Sequence, residues 1–486
     1  MRPGSICAIA ACKLTRQALR LFHRGGTALP GKTARLFDPD ILKRVSEGME
    51  IIVVTGTNGK TTTCSMLENA LRAGGRECLS NKSGANLLSG VTAELTCNAT
   101  WSGKPKTHYA VIECDEGALK QVAPLISPKV IIVTNLFRDQ LDRYGEVMHT
   151  LDEIRKGILA SPGSILCLNA DDSLTGSLAG DVPNPVVWYG LDTPTGEEKE
   201  PVLSDARYCI RCGTEYGYHY HTYAHLGGFF CPKCGYSRPE PDFAVTQIEE
   251  MNTAGTRCRV RLNKAPGQES SVTGDRKQAG AGAGIRKQQS AVAGGGEIDV
   301  KVGLPAVYNL YNAMAALCAC AAFGLPAEEC AASLKTVHSS FGRMENFTLG
   351  KTSLQMILVK NPAGCSQALE YLSSVKEPCR ALFALNDRTA DGHDISWIWD
   401  ADYEKICSSG ILQEILVLGD RAEDMQLRLK YAGADTSRIT IVREAREALK
   451  WIEASSVPVF AFPNYTSMLE LREAVRERTG EKEFWQ

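Results

Sequence analysis

The sequence predicts an α/β protein in which two open sheets, each built from strands alternating with helices, follow one another along the chain. Three observations predict it. A β-branched run enters a glycine loop and then a helical pattern, "IIVVTGTNGKTTTCSML" over residues 51–67. Further buried runs end in acidic or amide residues and are separated by helical spans, as in a parallel sheet with its site at the strand C-termini. From about residue 341 the alternation starts again. At 486 residues the chain exceeds one ordinary core, so two domains with inserts are expected. These are a leader and helix over 1–47, a central nucleotide-binding domain over 48–340, and a C-terminal Rossmann-like α/β domain over 341–486.

Bulk properties exclude several classes. Hydrophobic residues make up 44% and charged residues 23%, the balance of a soluble globular protein. A net charge of −2 gives no bulk attraction to nucleic acid or anionic lipid. In "MRPGSICAIAACKLTRQALRLFHRGG" the apolar run Ile6–Cys12 is followed by Lys13, Arg16 and Arg20. That order is wrong for a secretory signal, and the segment reads as an amphipathic helix. No stretch approaches the ~20 apolar residues of a spanning helix, so a cytoplasmic location is expected. Most of the 18 cysteines stand singly in apolar runs such as "ALCACAAFG", where Cys acts as a small hydrophobe; this suits a reducing compartment.

Ile51–Val54 forms the first buried strand, and a helix runs from Thr61 through Leu71. The loop between them departs from G-x-x-x-x-G-K-[ST], because Val54 stands where the first glycine would be. Its chemistry is nevertheless that of a phosphate cradle. Gly56 and Gly59 let the backbone approach phosphate, Lys60 meets the β/γ oxygens and the Thr61 hydroxyl ligates magnesium, with Thr57, Asn58 and Thr62 completing the loop. "HYAVIECDEG" places Glu113, Asp115 and Glu116 at the end of the next strand. Glu113 is the candidate to complete a magnesium shell already supplied by phosphates and Thr61. "KVIIVTNLFRDQLDRYG" and "SILCLNADD" give two further strands.

Cys209 and Cys212 are followed after eighteen residues by Cys231 and Cys234, with Gly213 and Gly235 after each pair. C-x2-C-x18-C-x2-C suits a closed tetrahedral zinc site, structural because it leaves no open position; a redox pair is the competing reading. The insert spans 205–240, and its histidines His219, His221 and His225 read as surface residues. Residues 264–297, poor in large aliphatics, read as a mobile surface loop without a catalytic part. A helix rich in alanine, "AVYNLYNAMAALCACAAFG", then places Asn309 and Asn312 three apart on one face. "SLQMILVK", "CRALFALND", "EILVLGD", "RITIV" and "VPVFAFPN" are the strands of the second sheet.

In order, "GTNGKTTT", "NKSGANLLSG", "ECDEG", "VTNLFRDQLDRYGE", "LNADD", "NLYNAMAA" and "FGRMENF" resemble the ATP-dependent Mur ligases and folylpolyglutamate synthases. The four-cysteine insert, "RGGTALPGKTARLFDP" and "NDRTADGHDISWIWD" narrow the resemblance to the MurT family, the ligase-like subunits of lipid II isoglutaminyl synthases. It covers nearly the whole chain except 264–297. It implies ATP-dependent amidation of the α-carboxyl of D-glutamate in the lipid II stem peptide, through an acyl phosphate, to D-isoglutamine. It also implies that Asn309 and Asn312 lie near the adenine and that Arg343 of "FGRMENF" reaches the phosphates. A lipid-linked substrate would bring the chain to the inner face of the membrane.

Departures from the wider Mur pattern are Gln140 and Tyr144 where histidines often stand, and Lys360 of "LVKNPAG" near another histidine position. Only about 50 residues precede the first strand, too few for a separate UDP-binding domain. No cysteine sits in the G-x-C-x-G context of a glutaminase, and "AGCSQ" around Cys365 fails the pattern. The resemblance therefore implies a GatD-like glutaminase partner that delivers ammonia. An aspartate of this chain would complete the partner's Cys-His pair: Asp394 is favoured over Asp391 and Asp400, because Trp397 and Trp399 would anchor an interface beside it. Helix capping is the plain alternative for Asp394. Two other functions share these motifs. One is an amino-acid-adding ligase working alone. The other is a zinc-ribbon nucleic-acid-binding NTPase, which the few basic residues of the insert (Arg207, Arg211, Lys233, Arg238) disfavour.

Overall fold

A computed structural model describes residues 2–21, 28–81, 85–138, 147–195, 205–252, 254–262, 296–337, 343–375 and 377–480. Among them, helices α1 (Pro3–Leu21), α2 (Leu29–Phe37) and α3 (Ile41–Val45) precede β1 (Glu50–Thr55), α4 (Lys60–Ala73), β2 (Cys78–Ser80), α5 (Leu88–Asn98) and β3 (Tyr109–Glu113). There follow β4 (Val130–Val133), β5 (Ile165–Asn169), β6 (Val186–Leu191), the hairpin β7 (Gly217–Tyr223) and β8 (Leu226–Phe230), then β9 (Phe243–Asn252), β10 (Gly255–Leu262) and β11 (Gly296–Val302). The first sheet has the order β11-β10-β9-β6-β5-β4-β1-β3-β2.

From β6 to β2 the strands are parallel. The β-branched run of β1 explains its central place. Ile51 and Val53 enter one core with α1–α3 and α5, while Ile52 and Val54 enter the other, with α4 and the helix Val307–Phe323. A strand buried on both faces reads as a continuous apolar run.

The wholly parallel sheet expected from the sequence is corrected at one edge, where β9, β10 and β11 pair antiparallel. Alternating burial along β10 is the signature of that half-covered edge. The predicted loop 264–297 also ends earlier, since Gly296 and Glu297 pair with Leu262 and Arg261; residues 263–295 lie outside the described part.

The second sheet has the order β12-β13-β17-β14-β15-β16, from β12 (Arg343–Leu349), β13 (Thr352–Ile357), β14 (Cys379–Ala384), β15 (Leu412–Leu418), β16 (Ile439–Val442) and β17 (Val459–Pro463). Only β12 runs antiparallel. No described helix is long and apolar enough to cross a membrane.

Candidate functional site

The chain leaves β1 between β3 on one side and β4 on the other, and the crevice beyond the strand ends at such a point is where open α/β sheets take ligands. The glycine loop occupies it, stitched to the end of β4. Thr57 N–H donates to the Asn135 carbonyl at 2.9 Å and Asn58 N–H to Asn135 Oδ1 at 2.9 Å, while Asn58 O accepts from Thr134 Oγ1 at 2.7 Å. Thr57 Oγ1 exchanges hydrogen bonds with the Phe137 backbone. The two glycines are obligatory. Gly56 has φ +115°, with a Cβ there 2.4 Å from Thr134 Oγ1; Gly59 has φ +87°, with a Cβ 2.0 Å from Asn312 Oδ1.

Lys60 opens α4, and its Nζ donates to Glu116 Oε1 at 2.8 Å and to the Gly56 carbonyl. Burial works to lower its pKa, but Glu116, Glu113 and Asp115 outweigh burial and raise it, so the ammonium is kept. Thr61 Oγ1 donates to Glu113 Oε2 at 2.8 Å. Asn81 fixes Glu113 by bonding both its backbone N–H and its carbonyl, at 2.8 and 2.7 Å. A hydroxyl and a carboxylate side by side at the glycine loop fit a magnesium ion that would take its remaining oxygens from phosphate and water.

Asn312 Nδ2 donates to Asn309 Oδ1 at 3.1 Å, and Asn309 Nδ2 to the Pro305 carbonyl at 2.6 Å. Asn312 thus faces the loop while Asn309 holds it from behind. A cavity lies here, walled by Gly59, Asn312, Tyr308 and Tyr223 and, from the second sheet's side, by Gly364 and Gln367. Arg343 begins β12 opposite Ile357, which also lines this cavity; its side chain lies outside the described part, as do Gln140 and Tyr144.

Two contributors escaped the sequence. Asn361 caps the helix Pro362–Ser374 and also donates to Asn58 Oδ1 at 3.1 Å. The Asn-Pro pair signals the helix start, whereas no local pattern signals the bond to Asn58. Tyr223 comes from the β7–β8 hairpin of the cysteine insert and stacks on Phe137 at 5.7 Å; nothing local in the sequence marks it.

The four cysteine sulfurs lie within 4.8 Å of one another, with Cys209–Cys234 at 3.6 Å and Cys212–Cys231 at 3.5 Å. Tetrahedral thiolates at ~2.3 Å from zinc sit about 3.8 Å apart, so the donor set fits the ion. Gly213 and Gly235 have φ +71° and +73°, as the turns after each pair require.

The three histidines, expected at the surface, do not all lie there. His219 is exposed and His221 half-buried, but His225 is fully buried, its Nε2 3.3 Å from Asp172 Oδ1 and its ring 4.7 Å from Phe137. The hairpin folds back over the sheet and covers it. Arg238 is half-buried, paired with Asp171 and Asp192.

Of the three aspartates, Asp391 is buried and accepts from Thr466 N–H and Oγ1, while Asp400 pairs with Arg138. Asp394 is half-buried, accepts from Ser396 N–H at 2.8 Å and is held below the usual carboxylate range by Ser396. Trp397 is partly buried against the core of the second sheet, which leaves Trp399 as the exposed one of the two. Cys365 is buried against Tyr403 OH, and burial pushes its thiol up to about 12, the opposite of an activated nucleophile.

Residues 54–208 match the Mur ligase middle domain and 358–468 the MurT ligase C-terminal domain. The MurT subunit of the glutamine-hydrolyzing lipid II isoglutaminyl synthase of Streptococcus pneumoniae is 33% identical over 93% of both chains. That of Staphylococcus aureus is 33% identical over 96% of both. Among solved structures, a pseudomurein peptide ligase type C from Methanothermus fervidus has a TM-score of 0.63 at 20% identity, covering 90% of this chain and 80% of that one. MurF from Acinetobacter baumannii has 0.62 at 15%, covering 93% and 81%. These structures share the fold.

Proposed function

The chain belongs to the MurT family of Mur ligase-like subunits, and from that premise we propose that it is the ATP-dependent ligase subunit of a two-subunit amidotransferase acting on lipid II. It is a ligase of peptidoglycan biosynthesis. The observation that carries the reading is the convergence of Lys60, Thr61 and Glu113 on one glycine loop.

The reaction needs activation because a carboxylate is a poor electrophile. An oxygen of the D-glutamate α-carboxylate attacks the γ-phosphorus of ATP, an O–P bond forms and ADP leaves. Ammonia then attacks the acyl carbon, the C–N bond forms, phosphate departs and a proton is lost. Catalysis here is position and charge. The loop N–H groups and the N-terminus of α4 hold phosphate oxygens, and Lys60 turns from Glu116 toward them. Thr61 and Glu113 would hold magnesium, which when bound neutralises developing phosphate charge. Asn312, backed by Asn309, and Tyr223 line the place for the base, with Arg343 reaching the phosphates from the second sheet. The cysteine cluster would hold zinc as a structural clasp.

The glutaminase partner supplies ammonia, and Asp394 orients its histidine. In support, Asp394 stays ionised and half-exposed while Asp391 and Asp400 are committed to Thr466 and Arg138. The test is amidation of lipid II by this chain with glutamine or ammonium chloride, with and without a co-purified glutaminase. Glutamine should serve only with the partner present, and ammonium should serve the chain alone. Ligation of an added amino acid without either nitrogen source would replace this reading with the stand-alone ligase.

A further inference from the structure

A surface helix ordinarily turns a polar face outward, whereas α1 carries apolar residues on its outer face as well as its inner one. Its inner face, Ser5, Ala8, Ile9 and Cys12, is fully buried. Its outer face carries Ile6, Leu14 and Leu21, exposed by 47%, 63% and 80%, within about 80° of one another at 100° per residue. The helix packed against it continues the surface: Leu36 and Phe37 of α2 are 82% and 55% exposed. The two helices contain Lys13, Arg16, Arg20, Lys32 and Arg35 and no acidic residue, in a chain whose net charge is −2. Arg16 is spent on Glu94. Lys13 and Arg20 border the apolar stripe on one side, about 20–40° beyond Ile6, and the Lys13 ammonium also donates to the Ala99 carbonyl. At the rim Trp101 is 61% exposed, with Lys13 Nζ 4.7 Å from its ring centre.

We infer that the outer face of α1 and α2 docks on the surface of an anionic bilayer. The charge pattern selects that occupant. Exposed aliphatics edged on one side by cations, on two helices free of acidic residues and bordered by a tryptophan, match the interface between headgroups and acyl chains. The face is also joined to the site. α2 packs on the first turn of α5, where Gly31 meets the Ser89 carbonyl so closely that a Cβ would lie 1.8 Å away. Two residues before α5, Asn86 points its Nδ2 at Glu113 Oε1, 3.5 Å away. This deepens the reading of a lipid-linked substrate: the docked face holds the magnesium carboxylate's side of the site near the membrane that carries the acceptor.

The experiment is co-sedimentation of the full chain, alone and with its co-purified partner, with phosphatidylglycerol vesicles and with phosphatidylcholine vesicles, neither containing lipid II. Wild type should bind the anionic vesicles, less so as salt rises, and bind phosphatidylcholine weakly. Leu14→Glu with Leu36→Glu should lower partitioning at least about tenfold at unchanged thermal midpoint, because both side chains already face solvent. Arg20→Gln with Lys32→Gln should remove the salt dependence. No binding by wild type, or equal binding by the leucine variant, would overturn the proposal. So would loss of vesicle binding when the partner is added, or a wild-type dimer that the leucine variant dissolves, each of which gives the face to a protein. Amidation of detergent-dispersed lipid II, measured alongside, reports separately on the substrate reading: it can fail while vesicle binding stands.

Discussion

Asn361 Nδ2 donates to Asn58 Oδ1 at 3.1 Å while Asn361 Oδ1 accepts from Gly364 N–H at 2.8 Å. One side chain thereby caps a helix of the second sheet and ties it to the glycine loop of the first. The two duties separate by mutation. Asn361→Ala should lose both, costing about 1 kcal/mol in the cap and several-fold in ATP affinity. Asn361→Ser keeps a capping oxygen, so it should retain the thermal midpoint and still lose the affinity. Calorimetry and nucleotide titration check this, and full ATP affinity in the serine variant would refute the tie.

Lys60 and Glu116 are both nearly out of solvent, with side-chain exposures of 11% and 6%. Lys60→Ala removes the proposed phosphate donor and leaves a buried carboxylate without its partner. ATP turnover should fall about 10²–10³-fold and stability by about 3 kcal/mol. Adding Glu116→Gln should recover most of the stability and none of the turnover, as read by urea unfolding and phosphate release.

Metal removal has a structural readout. Cys212→Ser should lower bound zinc from one ion per chain toward zero by elemental analysis and lower the thermal midpoint by several degrees, because a four-thiolate site contributes folding energy directly. An unchanged midpoint with zinc absent would make the cluster dispensable.

Tyr223 carries that insert into the cavity beside the glycine loop. Tyr223→Ala should weaken ATP binding several-fold at full zinc content, whereas Tyr223→Phe keeps the ring against Phe137 and should bind normally. Equal affinity for all three proteins would show that this wall does not meet the base.

Asp172 gives a pH test. Burial raises its pKa, but His225, Thr175 Oγ1 and the Leu136 N–H outweigh burial and hold it below its ordinary value. A depressed folded-state pKa contributes stability above the unfolded value of about 3.9 and loses it as pH falls through the folded one. Asp172→Asn should therefore cost about 2 kcal/mol near neutrality, and the gap between variant and wild-type urea midpoints should close below about pH 4. A constant gap would place the effect in packing.

The glycine loop, its lysine and threonine, Glu113 and the cysteine quartet were legible because each is a local pattern: few residues, close in the chain, with a spacing that the chemistry demands. So were most parallel strands, since burial on both faces leaves an uninterrupted β-branched run. His225 and the antiparallel edge β9–β11 were misread or missed because their burial depends on what folds over them. Asn361 and Tyr223 could be assigned to the site only by tertiary structure. They stand 303 and roughly 160 residues from the loop they serve, and no local spacing encodes a contact made by docking one sheet on another. The outward apolar face of α1 belongs to the same class. Its helical period fixes which residues share a side, and only packing against α2 and α5 decides which side is left facing out.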